Sequence, residues 1–204
     1  MTSVPATSIT DPGWLRTQIG LAARRYGRAQ PNVLGTIWWY SASSVLIAPT
    51  LETFARAEKP LDPSLSALSL DLHDDGNIVG AHSSRPLEGD IGEALAGMIE
   101  TVVAAVSAVT GAHSPALRAI ATDSIANRLL WTGTPALAGP LVAAIGARLP
   151  RPRYGEVGGT PYVRRVSCCL IYQATGTDKC LSCPRQAPAE RERRLRSAFG
   201  QRGQ

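Results

Sequence analysis

Apolar residues recur at intervals of three and four through most of the first 150 positions, broken by Pro, by Gly and by one alternating stretch. Leu15, Ile19, Ala22, Ala23 and Tyr26 follow Asp11-Pro12, a capping residue with Pro behind it. That pattern predicts a helix closed by Gly27 and Pro31. Positions 33–47 are apolar nearly all round and carry Trp38, Trp39 and Tyr40, so they predict a buried helix stopped by Pro49, with a short helix over 50–57. The period then drops to two. Leu68, Leu70 and Leu72 alternate with Ser69, Asp71 and His73, and Asp74-Asp75-Gly76-Asn77 supplies turn chemistry before a returning strand over 78–82. From Asp90 the helical period returns in Ile91, Leu95, Met98, Ile99, Val102, Val103, Val106 and Val109, closed by Gly111. Ser114-Pro115 opens another helix, with Leu117, Ile120, Ala121, Ile125 and Leu129 on one face. Thr134-Pro135 opens a third, delayed or kinked by Pro140, with Leu141, Ile145 and Leu149.

These elements give an α+β fold class, a mainly helical domain with a small antiparallel β-sheet. Residues 150–161 (PRPRYGEVGGTP) lack helical period and form the best boundary. It divides a helical domain over 1–150, with its hairpin near 66–82, from a C-terminal segment over 151–204. In that segment 162–166 reads as a short strand and 190–199 as a charged helix.

Composition is that of an ordinary globular chain, with 44% hydrophobic and 18% charged residues in 204. Charge is uneven. The net +5 divides into −2 over residues 1–150 and +7 over 151–204. The N-terminus has no basic stretch followed by an apolar one, so no signal peptide is expected. The most apolar long stretch, 91–109, contains Glu93 and Glu100 and reads as a buried helix. The expectation is a cytoplasmic protein with at most transient membrane association. Thiols in that compartment stay reduced.

All four cysteines, Cys168, Cys169, Cys180 and Cys183, fall within one 16-residue window. A disulfide framework ties distant segments together, so this clustering points to metal or redox chemistry. Cys180 and Cys183 make a Cys-x2-Cys knuckle of the kind that zinc uses. Adjacent Cys168 and Cys169 do not, since neighbours on an extended chain face opposite ways. Either the backbone turns there or the centre offers two metal atoms, as a [2Fe–2S] cluster does. Structural zinc and a thiol redox switch stay open on spacing alone. Gly176 lets the intervening loop fold back.

The string Arg164-Arg165-Val166-Ser167-Cys168-Cys169-Leu170-Ile171-Tyr172, followed by Cys180-Leu181-Ser182-Cys183-Pro184, resembles the C-terminal signature of the FhuF-like ferric siderophore reductases. The resemblance implies that these four cysteines ligate a [2Fe–2S] cluster. It also implies an oxidoreductase that passes one electron to siderophore-bound Fe(III), so that Fe(II) is released. Siderophores present hard oxygen donors that hold ferric iron far better than ferrous, so one electron loosens the complex. No general acid, base or nucleophile is required, and no catalytic residue beyond the cluster is expected. The alternative is a non-enzymatic iron–sulfur or zinc protein: a carrier, a sensor or a structural module.

Arg164, Arg165, Lys179 and Arg185 flank the ligands. They are expected to raise the potential of an anionic cluster and to dock an anionic ferric complex or an acidic donor. The alternative is that they are merely solvated or paired with local acids. Gly158-Gly159 lacks the spacing of a dinucleotide fingerprint, so the electron is expected from a separate protein or small-molecule donor. Arg191, Arg193, Arg194 and Arg196 lie beside Glu190 and Glu192 without interleaved aromatics, which reads as a charged helix face and not a nucleic-acid site. Trp38, Trp39 and Tyr40 read as core more than as a siderophore pocket. His73, His82 and His113 are scattered, and Asp74 and Asp75 read as turn residues.

Overall fold

A computed structural model describes residues 1–146 and 148–200. Helix α1 (Pro12–Tyr26) starts as its sequence predicts, with the Asp11 carboxylate accepting from the Trp14 N–H at 2.6 Å. Helix α2 (Pro31–Leu46) begins on Pro31, which therefore opens the second helix and does not merely close the first. Pro needs no N–H at that position. Pro49 likewise sits in the first turn of α3 (Ala48–Ala55), two residues earlier than expected.

The hairpin is where the alternation placed it, with β2 (Leu68–Leu72) antiparallel to β3 (Ile78–Ser83). A third strand, β1 (Thr2–Pro5), pairs with β2 in the register Val4 opposite Leu70. It was not visible in the sequence, because four residues of TSVP show no period. Helices α4 (Ile91–Thr110) and α5 (Ser114–Trp131) follow their apolar stripes, and Gly111 closes α4 in the left-handed conformation. A 3-10 turn over Pro135–Leu137 then leads into α6 (Ala138–Ile145), the delay that Pro140 suggested.

The core lies where α2 packs between α1, α4 and α5. Trp39, Ile37, Leu46, Leu95, Ile99, Leu117 and Ile120 are all fully buried there. Among the described residues α4 is the one helix long and apolar enough to cross a membrane. Its Leu95, Ile99, Val102 and Val106 are packed inside this core.

Residues 150–161 contain more order than their composition suggested. Strands β4 (Tyr154–Val157) and β5 (Thr160–Val163) form a hairpin. Its turn is Gly158-Gly159 at φ +58° and +75°, the two positive values that a type I′ two-residue loop requires. The hairpin rests on α5, and the Tyr154 hydroxyl donates to the Ala126 carbonyl at 3.0 Å. Beyond it come a short helix, α7 (Ile171–Thr175), and α8 (Pro188–Gly200).

Candidate metal centre

The strand expected over 162–166 ends at Val163. The Arg164 N–H still donates to the Arg153 carbonyl at 2.8 Å, and beyond it the pairing with β4 stops. Val166 and Ser167 both donate to the carboxylate of Asp123 on α5, at 2.9 and 3.1 Å. The chain then runs through Cys168 and Cys169 and turns at once, because Leu170 is left-handed at φ +63°. That turn is what the adjacent cysteines required. Helix α7 follows, and Gly176 at φ +67° closes it. The Cys180–Cys183 knuckle is a tight turn in which the Cys183 N–H donates to the Cys180 carbonyl at 3.0 Å. The buried Gln186 amide locks it, donating to the carbonyls of Cys180 at 2.7 Å and Leu181 at 3.1 Å.

This folding brings the four free thiols together. Sγ of Cys168 and Sγ of Cys183 are 3.5 Å apart. Cys169 hydrogen-bonds both Cys168 and Cys180, so the sulfurs run in the order 183, 168, 169, 180. Hydrogen bonds from Cys168 and Cys180 push the Cys169 thiol well below the ordinary range, while those same bonds push Cys168 and Cys180 up. Among the described residues no three His, Cys, Asp or Glu side chains gather to hold a single ion. Cys168, Cys169 and Cys183 are buried, and Cys180 is exposed.

One cation is built into the wall. Arg165 has a side chain only 4% exposed, so of the four flanking basic residues it is the one that is not solvated. Its Nη1 lies 3.3 Å from Cys180 Sγ, and it hydrogen-bonds Cys169 as well. Its guanidinium stacks on the Tyr40 ring at 4.6 Å. Its Nε stands 3.8 Å from Asp123 Oδ2, too long for a hydrogen bond. Among the described residues Nε and Nη2 have no hydrogen-bond partner although both are buried. Burial pushes the Asp123 carboxyl up to about 6, against the Val166 and Ser167 hydrogen bonds and the Arg165 charge, which pull it down. Burial also raises the Tyr40 phenol, and the Arg165 charge opposes that.

The other flanking residues are outside. Arg164 and Arg185 are exposed. Arg185 Nη1 donates to the Tyr172 hydroxyl at 3.2 Å, Lys179 Nζ sits 5.6 Å from the Tyr172 ring centre, and Lys179 also donates to the Arg185 carbonyl at 3.1 Å. Leu181, next to the exposed Cys180, is 39% exposed.

Of the other candidates, Trp38 and Trp39 lie in the core, and the Trp39 indole donates to the Leu117 carbonyl at 2.8 Å. Tyr40 instead forms the shelf under Arg165. The three histidines are exposed, and His82 pairs with Asp71 at 2.7 Å. Asp75 turns the hairpin, accepting from the Asn77 N–H at 2.9 Å, and it pairs with Arg25. On α8, Arg193 pairs with Glu190 and Arg196 with Glu192, as a charged helix face does. Sequence reasoning missed Asp123. Its one signal was an acid at a position flanked by the apolar stripe of α5, between Ile120 and Ile125.

The donor set suits an iron–sulfur group. It offers four soft thiolates and a permanent buried cation with unpaired N–H groups beside them. Comparison with known proteins agrees. Residues 165–185 match the FhuF 2Fe-2S C-terminal domain, and the cysteines at 168, 169, 180 and 183 fit its motif. No curated protein matches the chain. Residues 165–185 are thus similar to that domain, and the cofactor it indicates is a [2Fe–2S] cluster.

Proposed function

From a chain whose C-terminal segment is FhuF-like, we propose a ferric siderophore reductase that works in the cytoplasm and takes its electron from a separate donor. Cys168, Cys169, Cys180 and Cys183 would hold the [2Fe–2S] cluster. The cluster supplies one electron at a time without bonding to its acceptor. The observation that carries the reading is the asymmetry of the site. Three thiols are buried and the fourth opens onto a basic surface, with a fixed guanidinium that reaches one of the buried thiols, Cys169, and the exposed Cys180. Buried thiols protect the centre from hydrolysis and ligand exchange. The open edge at Cys180 and Leu181 would leave a bound cluster a short distance from an acceptor at the surface.

Lys179 directly precedes Cys180, and Arg185 joins it on the outer face against Tyr172; their charge favours the approach of an anionic ferric complex or an acidic donor. Their screening by salt gives the docking a dependence on ionic strength. The test is turnover. The protein is reduced, freed of excess reductant and mixed with ferric hydroxamate and ferric catecholate complexes in the presence of a ferrous-specific chelator. The expected result is reoxidation of the cluster with matching ferrous chelate, and many equivalents of chelate when reductant is resupplied. A reduced spectrum that survives every ferric complex overturns the reductase reading in favour of a carrier or sensor.

A further inference from the structure

Asp123 lies on α5, far in sequence from the cysteines, yet its carboxylate sits directly under the segment that carries them. It is 2% exposed. Its Oδ1 accepts from Val166 N–H at 2.9 Å, and its Oδ2 accepts from Ser167 N–H at 3.1 Å and Val166 N–H at 3.1 Å. These are the two residues immediately before Cys168. A buried carboxylate is costly unless it is paired, so its retention in an apolar helix asks for a role. Burying those two N–H groups without an acceptor is costly as well. Arg165, the other buried charge, faces the same carboxylate on one side and two cysteine sulfurs on the other.

We infer that Asp123 is the positioning residue of the cluster segment: it pins the backbone before Cys168 to α5 and balances the Arg165 charge that faces the sulfurs. The inference rests on the reading that the four cysteines hold a [2Fe–2S] cluster, and it assigns opposite electrostatic effects to the two buried charges. Arg165 favours the reduced, more negative centre, and Asp123 disfavours it. Shape and charge are separable here. Asparagine keeps an acceptor for the backbone N–H groups and loses the charge, whereas alanine loses both.

The experiment compares wild type, Asp123→Asn, Asp123→Ala, Arg165→Met and Arg165→Lys, purified with iron and sulfide content determined first. The readouts are the reduction potential at pH 8 and the rate of iron loss to a chelator. Asp123→Asn should keep the cluster and raise the potential. Arg165→Met should lower it, each by about tenfold in the reduced-to-oxidised ratio, or about 59 mV for a one-electron couple. Arg165→Lys, which keeps the charge but not the planar fork, should recover much of the wild-type value. Asp123→Ala should release iron about tenfold faster or more, in line with the loss of two buried hydrogen bonds. Should Asp123→Ala fail to accumulate, the Asp123→Asn potential still decides.

Wild type without iron and acid-labile sulfide overturns the cluster reading and takes this inference with it. A wild type with its cluster intact, beside an Asp123→Asn protein of unchanged or lowered potential, overturns the inference alone. So does an Asp123→Ala protein that keeps iron as well as wild type.

Discussion

Trp39 has no exposed surface, and its indole N–H reaches across to the Leu117 carbonyl on α5. Its neighbour Tyr40, about 100° further round the same helix, carries the Arg165 guanidinium on its ring. Two adjacent aromatic residues therefore do separate work, one in the core and one at the metal centre. Truncating the first should be costly because it removes a large packed side chain, leaves a cavity and abandons a buried carbonyl. Trp39→Ala is expected to lower stability by about 3–5 kcal/mol, read from urea unfolding. A loss below about 1 kcal/mol would mean that the surrounding helices close over the gap.

At the level of elements, two joints hold the helices and the cysteine segment in place. Gly27 ends α1 at φ +102°, and a Cβ there would stand 2.5 Å from the carbonyl oxygen of Ala174 in α7. The residue thus meets two demands, an unusual backbone angle and a close approach between the helical body and the cysteine loop. Gly27→Ala should cost more than about 1 kcal/mol and loosen α7, seen as faster amide exchange over 171–175. Exchange as slow as in wild type would show that the loop does not lean on α1. The second joint is between α4 and α5, where Glu100 accepts two bonds from Arg118, both at 2.7 Å, with Arg148 nearby at 3.5 Å. The Arg118 bond, opposed by partial burial, holds the Glu100 carboxyl below its usual 4.5. The folded protein therefore binds this proton less readily than the unfolded chain. Its contribution is full above pH 4.5 and disappears as pH falls through the lowered folded value. The pair is about one-third exposed on the Glu100 side, so solvent screens it. Glu100→Gln should cost at most about 1 kcal/mol at pH 7 and nothing in strong acid, checked by urea midpoints at several pH values. An equal loss at both extremes would assign the effect to packing.

Over the whole molecule, what the sequence revealed follows from how locally each feature is specified. The stripes of α4 and α5 and the Leu68–Leu72 alternation are set by neighbours a few positions away, and they were readable at once. So were the four cysteines, because ligand chemistry demands both their type and their spacing. Strand β1 depends on pairing with β2 more than sixty residues later, and nothing in TSVP announces it. The β4–β5 hairpin hides in a Gly- and Pro-rich stretch whose turn residues look like a linker until a partner strand is seen. Asp123 and Tyr40 become part of the site only because α5 and α2 pack beneath the cysteine loop. The basic excess over 151–204 likewise divides in three dimensions, into one inward arginine, a rim on the surface and paired charges on α8.

The exposed position of Cys180 has one more consequence. Small oxidants reach a thiolate through whatever opening exposes it, the same opening a redox partner would use under the proposed function, and reactivity follows exposure. Air and peroxide would attack the Cys180 side first, while Cys168, Cys169 and Cys183 stay shielded. Under the proposed reductase function, durability under oxygen and speed of electron delivery would therefore be set at one residue, and improving either would come at the expense of the other.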